Sequence, residues 1–247
     1  RRARQLVEEG ELSETHAEKG FARQLATISA ETDQLALGIW DGSLHGPAIF
    51  NLIRNDRLLD VAESLCGDEL VASSVYRVRP KIPSHVKSPV PWHQDSGYFE
   101  PYCDKDLVLT MWIPLVDATE ENGCLWVIPG AHKGEVVRHV TRADKPYLEI
   151  LEKDLPAGDR VCAEVPKGGV LLLTNRTPHA SFENNSDHVR WSMDLRYQNA
   201  ALPTNAAISR EPDESVPDEA QGVPPACYPP EADFLVRSTK RPDQVVT

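Results

Sequence analysis

The run from Arg190 to Tyr197 alternates between two kinds of side chain. In an extended strand successive side chains point to opposite faces, so the alternation predicts a β-strand with two different sides. One side is apolar and carries Trp191, Met193, Leu195 and Tyr197. Arg190 and Ser192 share the other side.

Several shorter stretches have a similar β-rich character. They cover residues 71–80, 107–116, 124–128, 161–165, 169–174 and 177–182. Asn122-Gly123 and Pro129-Gly130 are turn signals between them. Residues 1–65 instead carry apolar residues at mixed spacings of three and four, which predicts helices packed outside a sheet. The predicted fold class is mostly β with flanking helices, a double-stranded β-helix (jelly roll, cupin-like).

The length and composition predict a single domain. The chain has 247 residues, of which 40% are hydrophobic and 26% charged, enough for one sizeable core. We divide it into a helical layer (1–65), a jelly-roll core (71–197) and an irregular C-terminal tail (198–247). Residues 133–160 are charged and interrupted by prolines, so we expect no strands there and either an outer wrap or a lid.

Charge and cysteine content exclude some classes of partner. A net charge of -12 argues against nucleic acid and against anionic membranes, since both favour a basic surface. No apolar run reaches the roughly 18 residues of a membrane span. The five cysteines are odd in number and contain no C-x-x-C pair, which indicates reduced thiols in a cytoplasmic protein.

Two histidines and one aspartate have the spacing of a metal site. His93 and Asp95 are two residues apart, so an extended segment projects both to one side and turns Gln94 away. With His179 downstream they form the ligand set of the facial triad of non-haem Fe(II) oxygenases. Three protein ligands leave coordination positions open, whereas a structural zinc site closes its shell with four.

Arg190 follows His179 by eleven residues and supplies a site for a carboxylate. A guanidinium pairs with a carboxylate through two hydrogen bonds, and the hydroxyl of Ser192 on the same face adds another. This pair is suited to the distal carboxylate of 2-oxoglutarate while the keto-acid end chelates iron.

These residues resemble the phytanoyl-CoA dioxygenase family of Fe(II)/2-oxoglutarate-dependent oxygenases. The matching pieces are His93-Gln94-Asp95, the run NGCLWVIPGAH at residues 122–132, and His179 with Arg190. The resemblance covers about residues 50 to 200 and implies a dioxygenase that hydroxylates a small molecule with O2, releasing succinate and CO2. It does not identify the substrate.

The resemblance also suggests two further contacts with 2-oxoglutarate. Trp112 lies where the family has a tryptophan that contacts this cosubstrate, apart from one inserted residue. Arg77 lies near a position that approaches it. A core tryptophan and a solvated arginine are the alternatives for these two residues.

Two functions from other classes remain open on sequence alone. One is a zinc-dependent cupin-type hydrolase or isomerase, which would work without O2 or 2-oxoglutarate and leave Arg190 and Ser192 without a role. The other is a non-catalytic metal-binding jelly-roll module. Related halogenating enzymes lack the carboxylate ligand, so the presence of Asp95 favours hydroxylation or another plain oxidation.

Overall fold

Five α-helices precede the sheets in the described part of the chain. The structure, a computed structural model, describes residues 1–40, 44–85, 89–99, 101–142, 145–203 and 233–247. The helices are α1 (Arg2–Glu8), α2 (Gly20–Ser29), α3 (Gln34–Trp40), α4 (Pro47–Ile53) and α5 (Asp56–Cys66). They lie where the apolar spacing predicts helices. In the described residues, no helix is both long and apolar enough to cross a bilayer.

The strands are short, with one exception. They are β1 (Leu70–Ala72), β2 (Arg77–Lys81), β3 (Val90–His93), β4 (Leu109–Pro114), β5 (Leu125–Val127), β6 (Val140–Arg142), β7 (Lys145–Glu149), β8 (Val161–Ala163), β9 (Leu171–Thr174), β10 (His179–Ser181), β11 (Arg190–Asn199) and β12 (Phe234–Arg237). The ten-residue β11 is the run whose alternation predicts a two-sided strand.

Two antiparallel sheets form the body of the molecule. The larger has the order β12-β1-β11-β4-β9, and β2 pairs with a different part of β11. The smaller has the order β3-β10-β5-β8, and β6 and β7 form a separate ribbon. Strands of both sheets line one cavity, so the sheets face each other. This arrangement confirms the predicted double-stranded β-helix with flanking helices.

The two sides of β11 have the roles that its alternation predicts. Met193, Leu195 and Tyr197 pack into the main apolar cluster, which also contains residues of β4 and of α5. Trp191 packs against the ring of Phe21 on α2, with the ring centroids 5.0 Å apart. The apolar side of β11 is thereby covered by helices, and its polar side faces the second sheet.

Helix α5 shows how local sequence positions this helical cover. It begins after Asn55, whose side chain accepts a hydrogen bond from the backbone N–H of Arg57 at 3.1 Å. It ends before Gly67, which has a φ of 94°, a value that glycine adopts most easily. Between these ends Leu59 and Ala62 are buried against the larger sheet.

Three expectations about the core and its flanks were wrong. The strand expected over 71–80 is divided into β1 and β2, which pair with different parts of β11. Residues 133–160, expected to lack strands, contain β6 and β7. The tail, expected to be irregular, contains β12, which pairs with β1 at the sheet edge. Residues 204–232 of the tail lie outside the described residues.

Pairing with a partner strand explains the two unexpected additions. A strand of three to five residues has too little periodicity to be recognised alone, and its stability comes from the neighbour that satisfies its backbone groups. β12 begins with the apolar residues Phe234, Leu235 and Val236, and it completes the edge beside β1.

The cysteines of the described chain are free thiols, as their number and spacing predict. Cys66, Cys103, Cys124 and Cys162 form no disulfide. Cys227 lies outside the described residues.

Candidate metal centre

The backbone brings the three predicted ligands together. His93 ends β3 and lies opposite His179, the first residue of β10, in the antiparallel pair that joins the two strands. Gln94 is extended, and Asp95 begins a short 3-10 turn. The ligand atoms of the three buried side chains all lie within 4.8 Å of one another.

Both histidines are oriented by the backbone. The Nδ1 atom of His93 lies 2.9 Å from the carbonyl oxygen of Pro91, and that of His179 lies 2.9 Å from the carbonyl oxygen of Thr177. A carbonyl oxygen only accepts, so each Nδ1 must donate and each neutral ring keeps its lone pair on Nε2. Burial and the neighbouring His179 lower the pKa of His93 to about 3, so this ring is neutral at physiological pH.

Two side chains of the larger sheet hold Asp95. Arg196 donates from Nη2 to Oδ1 at 3.0 Å and from Nε to Oδ2 at 3.2 Å. Thr110 donates to Oδ2 at 2.7 Å. Burial is the largest influence on Asp95 and opposes its ionisation, but the charge and hydrogen bonds of Arg196 and the two neighbouring histidines together outweigh it and keep the pKa of this carboxyl below its usual value. Asp95 is therefore an anion with a fixed orientation.

This donor set fits a ferrous ion. Each carboxylate oxygen has two lone-pair positions, and the hydrogen bonds use both on Oδ2 of Asp95 but only one on Oδ1. One carboxylate oxygen and the Nε2 atoms of His93 and His179 remain as ligands. Two imidazoles and one carboxylate, with no thiolate, are the 2-His-1-carboxylate set of non-haem iron enzymes.

Arg190 supplies a buried cation to the same cavity. Its guanidinium donates to the Ser192 hydroxyl, to the carbonyl oxygen of Gly123 at 3.1 Å and to Ser181 Oγ at 3.2 Å. Its Nε is buried and has no hydrogen-bond partner among the described residues. Burial lowers the pKa of Arg190 to about 10, which leaves the side chain charged at neutral pH.

Ser192 occupies a different position from the one expected of it. It is fully buried, and it is not among the described residues that line the cavity. Its hydroxyl accepts a hydrogen bond from Arg190 instead. The structure thus places Ser192 where it orients the guanidinium, rather than where it would contact a carboxylate in the cavity.

Trp112 and Thr110 lie on one side of β4, and both line the cavity. The ring of Trp112 packs against the guanidinium of Arg190 at 5.1 Å from its centroid. Thr110, two residues earlier, contacts Asp95. One side of β4 therefore connects the candidate metal ligands with the buried arginine.

Arg77 is not among the described residues that line the cavity, whereas Arg79 is. Arg77 donates to the carbonyl oxygen of Tyr76 at 2.9 Å. Arg79 instead pairs with Asp194, whose second carboxylate oxygen is buried without a hydrogen-bond partner in the described structure. Both arginines fall on the same side of β2, so alternation alone cannot tell which of them reaches the cavity.

Lys81 is a cavity residue that the sequence reasoning missed. It lies opposite Arg190 in the pairing of β2 with β11. Its ammonium group donates to the carbonyl oxygens of Ser181 at 3.2 Å and Phe182 at 2.7 Å. Burial, and then the charge of Arg190, lower the pKa of Lys81 to about 6. Lys81 follows Arg79 by two residues, as Arg79 follows Arg77. This spacing was the feature of the sequence that could have predicted its position on the same side of the strand.

The fold and the site together define a class of protein. A double-stranded β-helix with two histidines, one aspartate and a buried arginine in one cavity is the architecture of the non-haem Fe(II)/2-oxoglutarate oxygenases. The model of the family described as phytanoyl-CoA dioxygenase (PhyH) matches residues 6–192. The chain therefore belongs to the phytanoyl-CoA dioxygenase family, and the predicted cofactors, Fe(II) and 2-oxoglutarate, are confirmed at the level of this family.

Relatives in animals, plants and bacteria agree with this membership. Mouse phytanoyl-CoA dioxygenase domain-containing protein 1 is 31% identical over 165 residues, which is 64% of this chain and 55% of that protein. An Arabidopsis thaliana phytanoyl-CoA dioxygenase is 32% identical over 131 residues, or 45% of this chain and 44% of that one. A probable alpha-ketoglutarate-dependent hypophosphite dioxygenase of Stutzerimonas stutzeri is 28% identical over 170 residues, covering 66% and 57%. The chain spans about half the length of the curated relatives that it matches.

Solved structures show the same fold. The epimerase SnoN, in complex with Fe3+, alpha ketoglutarate and nogalamycin RO, superposes with a TM-score of 0.53 at 25% identity, over 75% of this chain and 73% of that one. EvdO2 from Micromonospora carbonacea, complexed with 2-oxoglutarate, gives a TM-score of 0.50 at 27% identity, over 64% and 63%.

Proposed function

We propose that this chain is an Fe(II)- and 2-oxoglutarate-dependent dioxygenase that hydroxylates a small molecule and releases succinate and CO2. The observation that carries the proposal is the presence in one cavity of two different sites. One is the cluster of His93, Asp95 and His179, and the other is the buried, charged Arg190 with a spare donor.

His93, Asp95 and His179 would hold the ferrous ion. Fe(II) supplies the means of activating O2 together with the keto acid. The protein fixes the donor atoms in advance, because Arg196 and Thr110 orient the carboxylate and backbone carbonyls orient both imidazoles. Little rearrangement is then needed when the metal binds.

Arg190 would bind the distal carboxylate of 2-oxoglutarate. A buried guanidinium whose Nε has no partner gains a charge-assisted hydrogen bond when an anion enters. Lys81 lines the same cavity and adds a further donor when it is protonated. Trp112 covers one face of the guanidinium and excludes water from that side.

Hydroxylation is favoured over halogenation because Asp95 is present and both of its oxygens are engaged. A halide would need the coordination position that this carboxylate takes. In this balanced reaction the substrate, 2-oxoglutarate and O2 are consumed, and the hydroxylated substrate, succinate and CO2 are formed.

The outer wall of the cavity would select the substrate. Trp40, Val90 and Tyr147 contribute to it. Tyr147 belongs to β7, and the neighbouring Leu148 N–H donates to the Tyr98 hydroxyl at 2.9 Å. The segment expected to form either an outer wrap or a lid thus contributes a cavity residue. The names of the relatives refer to two unlike compounds, phytanoyl-CoA and hypophosphite. Membership of the family therefore does not identify the substrate.

An anaerobic titration tests the proposal. Fe(II) and 2-oxoglutarate are added to the protein, and the weak visible charge-transfer band of their chelate is measured. Arg190→Gln is expected to weaken 2-oxoglutarate binding by about a hundredfold while Fe(II) still binds, since a charged hydrogen bond contributes about 1.5–3 kcal/mol.

The matched control is Arg23→Gln. Arg23 is exposed and pairs with Asp187 on the surface, so this variant should titrate like the wild type. A wild-type protein that forms no band, or that turns over a substrate without O2, would contradict the proposed function and support the zinc enzyme. If the band forms but no succinate is released once O2 is admitted, the remaining function is the non-catalytic metal-binding module.

A further inference from the structure

Two thiols lie in contact beside the cavity. The sulfur atoms of Cys124 and Cys162 are 3.1 Å apart. Cys162 lies on β8 opposite Trp126 of β5, and Cys124 directly precedes β5, two residues before Trp126. The two side chains therefore project from the same side of the paired strands. A disulfide has sulfur atoms about 2.05 Å apart, so a shift of roughly 1 Å would close the bond.

The two cysteines differ in access. Cys124 is fully buried, whereas Cys162 is half-buried on β8, the edge strand of the smaller sheet. An oxidant from solvent would reach Cys162 first. An edge strand has a hydrogen-bonded neighbour on one side only. Cys162 on β8 can therefore move more easily than Cys124, which is buried in the core.

Cys124 is connected to the anion end of the cavity through Gly123. The carbonyl oxygen of Gly123 accepts hydrogen bonds from Arg190 Nη2 at 3.1 Å and from Ser181 Oγ at 2.9 Å. A shift of Cys124 towards Cys162 moves this carbonyl, because the two residues share a peptide bond.

The surroundings of Gly123 leave no room to absorb such a shift. Gly123 has a φ of +76°, and a Cβ atom added to it would lie 2.5 Å from Lys81 Cδ and 2.8 Å from the carbonyl oxygen of Phe182. Displacement of this glycine is therefore passed to Lys81 and Arg190, since close-packed interiors transmit strain.

We propose that Cys124 and Cys162 form a reversible intrachain disulfide, and that closing it weakens the binding of 2-oxoglutarate. The inference rests on the proposed function, because Arg190 and Lys81 are assigned to the cosubstrate only there. The disulfide itself is a separate modification site that requires neither iron nor cosubstrate.

With hydrogen peroxide as the oxidant, the chemistry balances in two steps. The Cys162 sulfur attacks one peroxide oxygen, the O–O bond breaks, and water leaves as Cys162 becomes a sulfenic acid. The Cys124 sulfur then attacks the Cys162 sulfur, the S–S bond forms and a second water leaves. Two thiols lose two protons and two electrons in total, and one peroxide becomes two waters. Burial raises the pKa of both thiols, so the reaction is slow at neutral pH and accelerates as pH rises.

The test separates disulfide formation from its effect. Metal-free protein is treated with hydrogen peroxide, the peroxide is removed, and tryptic peptides are mapped without reductant. A linkage between the peptides that contain Cys124 and Cys162 is expected. Fe(II) and 2-oxoglutarate are then titrated anaerobically, and the oxidised protein should bind 2-oxoglutarate about tenfold more weakly, with dithiothreitol restoring the affinity.

Three variants serve as controls. Cys162→Ala and Cys124→Ala should each bind 2-oxoglutarate equally before and after peroxide, and either variant suffices if the other does not fold. Cys66→Ser removes a free thiol elsewhere on the chain and should respond like the wild type. Absence of the linked peptides, or their presence with unchanged affinity, would overturn the inference. Failure of the proposed function looks different, because the untreated wild type would then not bind 2-oxoglutarate at all.

Discussion

Each proposed metal ligand is held by a second group that settles its orientation. Backbone carbonyl oxygens fix the rings of His93 and His179, and Arg196 with Thr110 fixes the carboxylate of Asp95. Arg196 lies on the polar side of β11, two positions beyond Asp194. Its role could not be assigned from the sequence, because alternation shows which side of a strand a residue faces but not what it meets there.

The pocket around Asp95 should accept a free carboxylate. Asp95→Gly removes one ligand, so affinity for Co(II) is expected to fall by more than the roughly 10–100-fold that loss of an outer partner costs. Formate should restore part of that affinity, since the guanidinium of Arg196 and the hydroxyl of Thr110 remain to bind it. Co(II) absorption spectra report the affinity.

The double variant Asp95→Gly with Arg196→Met is the matched control for this rescue. It lacks the guanidinium and should gain nothing from formate. Equal rescue in the single and the double variant would exclude Arg196 as the group that holds the carboxylate.

Lys81 should make 2-oxoglutarate binding depend on pH. Its pKa is lowered to about 6 by burial and by Arg190, and an entering carboxylate raises it because the protonated form is then favoured. Binding therefore takes up a proton, and affinity should fall as pH rises above about 6. Anaerobic titrations at several pH values measure this slope, and Lys81→Met should flatten it. A slope that survives in Lys81→Met would assign the proton to another group.

At the level of elements, Gln94 connects the end of β3 to the segment that precedes β6. It is fully buried, and its amide donates to the carbonyl oxygen of Arg176 at 2.8 Å and accepts from the N–H of Val137 at 2.9 Å. The spacing of His93 and Asp95 predicts that Gln94 points away from the proposed metal site, and its side chain contacts the backbone of neighbouring segments. The segment that it contacts could not be named from the sequence, since residues 133–160 have no clear period.

Gln94→Leu should therefore destabilise the fold without removing a ligand. The change leaves the N–H of Val137 and the carbonyl of Arg176 without their partner, and unsatisfied buried groups cost about 1–3 kcal/mol each. We expect the free energy of unfolding in urea to fall by about 2–6 kcal/mol. Faster amide exchange over residues 133–140 should accompany it.

Gln5→Leu is the comparison for this substitution. Gln5 is exposed and bonds to Glu9 on α1, so its loss should change stability by less than about 0.5 kcal/mol. If the two leucine variants lost equal stability, the connection through Gln94 would be excluded as a source of stability.

At the scale of the whole molecule, charge is distributed unevenly. The chain carries a net charge of -12. Among the charged residues that line the cavity, three arginines, Arg79, Arg190 and Arg196, nevertheless outnumber the carboxylates of Asp95 and Asp194. Lys81, whose pKa is lowered to about 6, adds a further cation when it is protonated. A site that receives a metal ion and a dianionic cosubstrate needs both signs of charge, and the fold gathers them from distant parts of the chain.

The C-terminal segment closes the larger sheet through Glu69. This carboxylate accepts from Ser238 Oγ at 2.6 Å and from the N–H groups of Thr239 and Lys240 at 2.9 and 3.0 Å. The hydrogen bond from Ser238 is the main cause that lowers the pKa of Glu69 to about 2. The stability that comes from these bonds is therefore present above about pH 4.5 and is lost as pH falls towards 2.

Glu69→Gln should weaken the attachment of the C-terminal segment to the larger sheet already at neutral pH. An amide accepts more weakly and presents an N–H group to other donors, so limited proteolysis should cut the segment after residue 233 faster than in the wild type. Glu18→Gln, a change at an exposed carboxylate next to Lys19, should leave the cleavage rate unaltered. Unchanged cleavage in Glu69→Gln would show that pairing of β12 with β1 alone holds the edge.

The proposed metal ligands, their spacing, the two sides of β11 and the helical layer could all be predicted from the sequence. These features are local, because periodicity and short spacing act through the geometry of a single strand or helix. Three features became visible only in the folded chain: His93 lies opposite His179, Arg79 rather than Arg77 lines the cavity, and Arg196 and Thr110 bind Asp95. Strand pairing and register arise between segments far apart in the chain, so no local pattern records them.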